Sequence, residues 1–184
     1  ILGKMMNGLP GLFAGMAVGV VISVIVAFLV GLPTLRLKGD YLAIATLGVA
    51  EIIRVAVTNM KITNGAAGIS GVPLTNTWTI TYIALVVTTI LILNYTFSSA
   101  GRATYAVLQD EIAAESMGVQ VTKYKILAFV LGAATASIGG TLSATTLGAV
   151  TPSDFTFMKS IDVLIIVVFG GIGSFTGSFV AAVL

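Results

Sequence analysis

The sequence contains no cysteine and no histidine. The first absence excludes a disulfide framework and thiolate chemistry. The second removes the commonest protein metal ligand and the usual proton carrier at neutral pH. Charged residues make up only 9% of the chain, against about 25% in soluble domains. A net charge of +2 is too small to indicate a nucleic-acid partner. We therefore expect no metal, no cofactor on this chain and no nucleic acid.

Charge is missing altogether from two long runs, residues 5–35 and 62–101. Each run exceeds the roughly 20 apolar residues with which a helix crosses about 30 Å of hydrocarbon. Hydrophobic residues reach 57% of the chain. Lipid is therefore the expected solvent for most of this polypeptide, which we interpret as a piece of a longer multi-pass membrane protein, one transmembrane domain over residues 1–184.

Apolar segments alternate with polar ones in a pattern that predicts five membrane spans. We place them at residues 10–32, 40–58, 77–97, 126–147 and 160–184, the last broken near 170–177 by Gly170, Gly171, Gly173 and Gly177. Irregular backbone at membrane depth survives only where protein or a wet cavity satisfies it. We therefore expect the break inside the bundle, with the first three of these glycines beside a passage or a neighbouring helix.

Small residues recur every four positions in two of the predicted spans, a spacing that permits close contact between helices. They are Gly11, Gly15 and Gly19 in the first span, and Gly132, Ala136 and Gly140 in the fourth.

Lysine and arginine collect on the cytoplasmic side of short loops. Alternating the spans gives one side Arg36, Lys38, Arg102, Lys123 and Lys125, and the other Lys4, Lys61 and Lys159. The larger group places residues 98–125 in the cytoplasm and the loops 61–76 and 151–158 outside. This count assumes five simple crossings.

The cytoplasmic segment 98–125 contains signals for one short helix. Asp110 is a good N-cap, Glu111 favours the positive end of the helix dipole, and Gly118 suits a left-handed last residue. Such a helix is too short to be stable alone. The small Ala113 and Ala114 suit insertion into a partner's groove, although an ordinary solvated loop is an equally open interpretation.

Glu51 and Arg54 lie within the second predicted span. A helix that begins at Asp40 puts Glu51 about 16 Å along it, near the middle of the membrane. A charge there costs about 2.5–3.5 kcal/mol on insertion scales, and two opposite charges three residues apart can neutralise each other. Two interpretations stay open: an internal ion pair that faces another helix, or a pair that lines or gates a substrate path.

The predicted outer loop Thr63–Pro73 is rich in glycine and short polar side chains, among them Thr63, Asn64, Gly65 and Gly68. Glycine lets the backbone bend, and the polar groups supply hydrogen-bond donors and acceptors. The loop could re-enter the membrane and form part of the passage, or be a plain periplasmic turn.

The cytoplasmic segment also resembles a known family. Ala113 and Ala114, followed after three residues by Gly118, resemble the EAA loop of ABC importer permeases, which forms the coupling helix that docks on the ATPase. In one respect the sequence departs from that pattern, because Ile112 stands where the family has glutamate. Glu111 and Glu115 flank this position, and either could supply the carboxylate that contacts the ATPase.

Longer stretches resemble the branched-chain amino acid permease family in the family's order. They are Leu32–Val55, Thr63–Pro73, Gly101–Val119 and Ser160–Ala182. The resemblance implies an all-α fold, a polytopic transmembrane helix bundle with at least one glycine-broken helix and a short cytoplasmic coupling helix. It also implies that the family's N-terminal helices and last C-terminal helix lie outside this sequence.

The family resemblance implies a transport permease rather than an enzyme, located in the bacterial inner membrane and driven by ATP hydrolysis on a separate subunit. The implied partners are a second permease subunit, two ABC ATPase subunits and a periplasmic or extracellular substrate-binding protein. Branched-chain or other apolar amino acids are the implied substrates, with urea or amides as alternatives. An ion-gradient-driven secondary transporter and a non-transporting membrane scaffold are the rival functions; an intramembrane enzyme would need a nucleophile, base or metal set that the sequence does not offer.

Overall fold

The computed structural model describes residues 8–37, 40–74, 78–171 and 173–183. The predictions that involve Lys4, Lys38, Thr77 and Leu184 lie outside the described residues. Eight α-helices carry most of the part that is described. They are α1 Leu9–Thr34, α2 Asp40–Asn59, α3 Trp78–Phe97, α4 Ser99–Gln109, α5 Glu111–Ser116, α6 Val121–Leu147, α7 Phe157–Gly170 and α8 Phe175–Val183.

Within the described ranges the β-strands are two, each of two residues: β1 Ile69–Ser70 and β2 Ala149–Val150, which pair with each other. Single 3₁₀ turns occupy Lys61–Thr63, Gly65–Ala67 and Pro152–Asp154. The prediction of an all-α helical bundle is therefore confirmed.

In the part of the chain that the structure describes, four helices are long and apolar enough to cross a membrane: α1, residues Tyr41–Asn59 of α2, α3 and α6. Side chains on these helices are mostly exposed, and the buried hydrophobic residues of the described chain are Leu12, Ala27, Val107, Ala114 and Leu142. So small a core could not hold a soluble protein of this size together. The exposed apolar surface is what a chain in lipid presents.

The described residues divide into two compact units. The first contains those up to Ala45 and those from Ser70 to Ala149, and in it α1 packs against α6 in antiparallel fashion. A methyl group added at Gly19 would lie 3.1 Å from Ser137 Oγ, and one at Gly31 would lie 3.3 Å from the ring of Phe129. Between these points the Ser23 hydroxyl donates to the carbonyl of Ala133 at 2.9 Å.

One predicted small-residue face therefore serves the α1–α6 contact, and the other does not. Gly11 is buried and Gly19 abuts α6. A Cβ added at Gly132 or Gly140 would meet no atom of the described chain within 4 Å.

The N-terminal part of the predicted polar segment is helical. Ser98 caps α4, since its hydroxyl oxygen accepts a hydrogen bond from the Gly101 N–H at 3.1 Å. The Tyr95 hydroxyl meets the Thr104 hydroxyl at 2.7 Å across the bend between α3 and α4. α4 also packs on α6. The segment that precedes α5 is therefore a helix held by tertiary contacts and not an irregular loop.

The second unit contains Thr46–Ile69 and the described residues from Val150 onward. Its turn at Pro152–Asp154 begins at a proline, whose fixed φ suits the first position of a helical turn. The Thr151 hydroxyl and backbone N–H both donate to Asp154 Oδ2, at 2.7 and 3.1 Å. The hydroxyl contributes most to lowering the pKa of Asp154 below its usual value, so this contact is present at neutral pH and is lost only as the pH falls through that lowered pKa.

The last apolar segment forms a hairpin of two helices, α7 and α8, which pack on each other in antiparallel fashion. The glycine-rich break predicted near 170–177 falls between them. Their backbones come close where Gly170 meets Gly177 and Ser178, and a Cβ added at Gly170 would lie 2.6 Å from the Gly177 carbonyl carbon. Fourteen residues give α7 a length of only about 21 Å, which is shorter than the hydrocarbon core.

Gly177→Ala tests whether this close approach holds the hairpin together. The new Cβ would collide with the Gly170 carbonyl oxygen, and backbone cannot move aside as a side-chain tip can. We expect a loss of stability of about 1–3 kcal/mol, the usual cost of overpacking. The measurement is the melting temperature of the full-length protein in detergent, by fluorescence-detected size-exclusion chromatography.

Gly140→Ala is the matched control, because a Cβ there is free of described neighbours within 4 Å and alanine favours a helix by up to about 1 kcal/mol over glycine. Its melting temperature should stay the same or rise. Equal melting temperatures for Gly177→Ala and the unchanged protein would show that the hairpin does not depend on this contact.

Candidate functional site

The short helix α5 is capped at its N-terminus by Asp110. One carboxylate oxygen, Oδ1, accepts hydrogen bonds from the backbone N–H groups of Ile112 at 2.9 Å and Ala113 at 3.0 Å. These are two of the N–H groups that a helix start leaves unsatisfied. Glu111 occupies the first helical position.

The other end of α5 is closed by Gly118, whose φ of +83° lies in the left-handed region. The Gly118 N–H donates to the Glu115 carbonyl at 2.9 Å, and the Val119 N–H donates to the Ala114 carbonyl at 3.0 Å. This pair of bonds is the Schellman arrangement, which satisfies the last carbonyls of a helix. Both ends of a six-residue helix are thus fixed by the local sequence.

The two adjacent alanines of α5 face opposite ways. Ala114 is buried, whereas Ala113 is exposed. On the exposed side, Ile112 and Met117 are 74% and 85% accessible. The helix therefore presents an apolar tip, which we define as Ile112, Ala113 and Met117, on the side predicted to be cytoplasmic.

The two carboxylates that flank Ile112 differ in what they contact. Glu111 forms an ion pair with Lys125 of α6, with Oε1 and Nζ 2.5 Å apart. Glu115 is exposed and forms no ion pair with any residue in the described ranges. Glu111 is thus used within the chain, and Glu115 is the carboxylate free to meet another protein.

A groove of about 960 Å³ lies beside the C-terminal end of α5. Its walls come from the last turns of α1, from the α5–α6 connection and from the first turns of α6. The residues that line the groove include Phe28, Leu32, Gly118, Gln120, Ile126 and Val130.

Glu51 and Arg54 form the predicted ion pair within α2, which is one unbroken helix from Asp40 to Asn59. The Arg54 Nε donates to both carboxylate oxygens of Glu51, at 3.1 and 2.9 Å, and Nη2 also contacts Oε1. The Glu51 and Arg54 side chains are 49% and 30% exposed on this chain. The pair is therefore internally neutralised but still accessible.

The side chains of Thr63 and Asn64 bond to the backbone of the 61–70 loop and to the end of α2. The Thr63 hydroxyl donates to the carbonyls of Val57 and Met60, at 2.6 and 2.9 Å. Asn64, in the left-handed conformation with φ 60°, donates from Nδ2 to the Gly68 carbonyl at 3.2 Å. The Gly65 N–H donates to the Met60 carbonyl at 3.2 Å.

The second unit brings Glu51 to the start of α7. A cavity of about 240 Å³, here called the Glu51 cavity, is lined by Leu47, Ala50 and Glu51 of α2 and by Phe155, Thr156, Phe157 and Ser160. The hairpin glycines Gly170, Gly171 and Gly173 belong to the same unit but do not line this cavity.

The sequence did not predict that residues 155 to 160 would line a cavity with Glu51, or that Lys125 would be the ion-pair partner of Glu111. Thr156 and Ser160 are four residues apart, a spacing that could have placed two hydroxyls on one helix face. No local pattern connects Lys125 to Glu111, fourteen positions earlier. Among the described residues, no group of three or more acidic, histidine or cysteine side chains could hold a metal ion.

Comparisons with known proteins identify the family. The family model described as branched-chain amino acid transport system / permease component matches residues 2–184. The chain is 38% identical over 198 residues to the high-affinity branched-chain amino acid transport system permease protein LivM of Salmonella typhimurium, covering 89% of this chain and 47% of that protein. For LivM of Escherichia coli the identity is 38% over 192 residues, with 85% and 45% covered.

The corresponding LivH permease protein of Escherichia coli is 32% identical over 107 residues, covering 58% of this chain and 33% of that protein. The chain thus spans about half the length of the LivM proteins that it matches. No solved structure matches the chain significantly. Together with its membrane-length helices, the family match places the chain in the inner membrane as a multi-pass protein, and the chain belongs to the permease-component family of branched-chain amino acid transport systems.

Proposed function

We propose that this chain forms part of the passage of an ATP-driven ABC importer for branched-chain or other apolar amino acids. Family membership supports an ATP-driven mechanism over the ion-gradient alternative. The proposed partners are a second permease subunit, two ABC ATPase subunits that hydrolyse ATP, and an external substrate-binding protein.

The observation that carries this proposal is the apolar tip of α5. Ile112 and Met117 are almost fully exposed on a helix whose two ends are both capped. Apolar side chains held out together in an aqueous compartment mark a surface that another protein covers. A helix this short fits a groove on an ATPase subunit, with Glu115 as the charged contact beside the tip.

The attachment of α5 to α6 gives the docking a mechanical consequence. Ala114 is buried, and the Glu111–Lys125 ion pair joins the first turn of α5 to the first turn of α6. When the ATPase subunits close and move α5, the displacement passes to α6, which is long enough to cross the membrane. Alternating access then follows from the motion of a rigid helix rather than from a change in α5 itself.

Gly118→Val tests whether α5 is the docking element. The position has open space around it, so the only penalty is the left-handed backbone, about 1–2 kcal/mol for a residue other than glycine. This cost lowers the population of molecules in which α5 keeps its capped helical form roughly 5- to 30-fold. We expect ATP hydrolysis stimulated by substrate-loaded binding protein to fall severalfold in the full importer, while the amount of membrane-inserted permease is unchanged.

Gly118→Asn is the matched control, because asparagine tolerates the left-handed conformation far better than valine. It should keep most of the stimulated ATP hydrolysis. If Gly118→Val transports and hydrolyses ATP as the unchanged protein does, α5 is not the docking element.

The Glu111–Lys125 ion pair, here called the tether between α5 and α6, predicts that exchanging the two charges restores activity. Lys125→Glu places two carboxylates together and should weaken stimulated ATP hydrolysis, since like charges repel. Adding Glu111→Lys restores the attraction with the two charges exchanged, and it should recover most of the stimulated ATP hydrolysis. The pair is partly exposed, so each loss should correspond to no more than about 1 kcal/mol.

Glu115→Lys serves as the comparison in the same assay of stimulated ATP hydrolysis. Because Glu115 does not pair with Lys125, the Lys125→Glu change should not rescue it. If Lys125→Glu restored stimulated ATP hydrolysis equally in Glu111→Lys and in Glu115→Lys, a specific Glu111–Lys125 ion pair would be contradicted.

A further inference from the structure

We propose that the Glu51 cavity is a binding subsite for one zwitterionic amino acid with an apolar side chain. This inference rests on the proposed transport function and assigns residues to its substrate. It uses only groups that line the cavity within the second unit, namely the Glu51 carboxylate, two hydroxyls at the start of α7 and the apolar side chains that line the cavity with them.

The cavity has the size of a single small amino acid. Its volume of about 240 Å³ equals roughly eight water molecules at about 30 Å³ each. An amino acid from valine to leucine has a comparable number of non-hydrogen atoms. A drug-sized ligand or a peptide needs more room than this, since such pockets begin at about 300 Å³.

Glu51 is the group that recognises the ammonium of the substrate. A carboxylate offers about four acceptor positions, and Arg54 takes up to three of them, through Nε to both oxygens of Glu51 and Nη2 to Oε1. The guanidinium fixes the orientation of the carboxylate and leaves at least one acceptor position for a ligand in the cavity that Glu51 lines.

The opposite wall supplies donors for the substrate carboxylate. Thr156 and Ser160 are one helical turn apart, so both hydroxyls can serve one carboxylate group. Leu47 and Ala50 on α2, together with Phe157, add apolar side chains to the same lining. An apolar α-amino acid carries its ammonium and carboxylate on one carbon beside an apolar side chain, so it needs acceptors, donors and apolar surface together in one small cavity.

Charge balance explains why the ligand should be a zwitterion. Glu51 and Arg54 together carry no net charge, and an uncompensated charge within a membrane helix costs several kcal/mol. A zwitterion adds none, whereas lysine would add a positive charge and a 2-oxo acid would bring a negative charge without the ammonium that Glu51 binds. The site should therefore discriminate against both.

The test is thiol labelling of a cysteine placed in the cavity. Ala50→Cys puts a thiol on the cavity wall of a sequence that has no cysteine of its own. The full-length permease is reconstituted with its partner permease, without ATP, and labelled with a charged maleimide at increasing leucine concentrations. We expect leucine to slow labelling, and lysine and 4-methyl-2-oxopentanoate to do so only at concentrations about tenfold higher or more.

Glu51→Gln should raise the protecting leucine concentration about tenfold or more, because it removes the charge but keeps the shape. Asp162→Asn is the matched loss of one carboxylate charge, on α7 but outside the cavity, and should leave protection unchanged. Gly48→Cys, two residues from Ala50 and not a lining residue, controls for protection that is not local. If Glu51→Gln fails to insert, the double change Glu51→Gln and Arg54→Gln removes both charges and gives the same readout.

Protection at the same leucine concentration with and without Glu51, or equal protection by leucine and its 2-oxo analogue, overturns the proposal. Leucine binding is at equilibrium during the labelling, and the assay needs no ATPase. A failure of ATP-driven transport would therefore leave the labelling result readable, and normal transport without leucine protection would reject the subsite alone.

Discussion

Close contact between α1 and α6 is the constraint on which the first unit depends. In lipid, apolar side chains gain little by leaving hydrocarbon for one another, so helices associate through close packing and short polar contacts. Here Gly19 and Gly31 bring the two helices together, and Ser23 adds a hydrogen bond to the Ala133 carbonyl. Because Lys125 of α6 also forms the ion pair with Glu111, the position of α5 depends on this contact.

In lipid, polar residues that their own helix satisfies can be distinguished from polar residues that are candidates for function. Hydroxyls in the membrane helices donate to carbonyls one turn back, as Thr34 does to Val30, Thr58 to Arg54 and Thr88 to Ala84. Such residues are satisfied by their own helix. Glu51 and Arg54 cannot be satisfied in that way, so they pair with each other and still leave acceptor positions available. That remaining capacity makes the pair a candidate for ligand recognition.

Features set by neighbouring residues could be predicted from the sequence, and features set by distant residues could not. Asp110 and Gly118 reveal both ends of α5 because capping is a local event. The Glu51–Arg54 pair follows from a spacing of three. By contrast, the return of α8 along α7 depends on Gly170 meeting Gly177 across a turn, and glycines alone predict a break but not its direction. The Lys125 tether and the α7 wall of the Glu51 cavity needed the fold.

The stability and the orientation of α5 have different physical sources, which separates the consequences of mutations there. Capping by Asp110 and Gly118 decides whether the six residues are helical at all, since a helix of this length does not persist unaided. The Glu111–Lys125 pair and the burial of Ala114 decide where that helix points. Under the proposed function, a change that opens a cap removes the proposed docking surface, whereas a change in the Glu111–Lys125 pair leaves that surface intact but separates its motion from that of α6. An importer that binds its ATPase normally yet transmits no movement is then the defect expected from the second class alone.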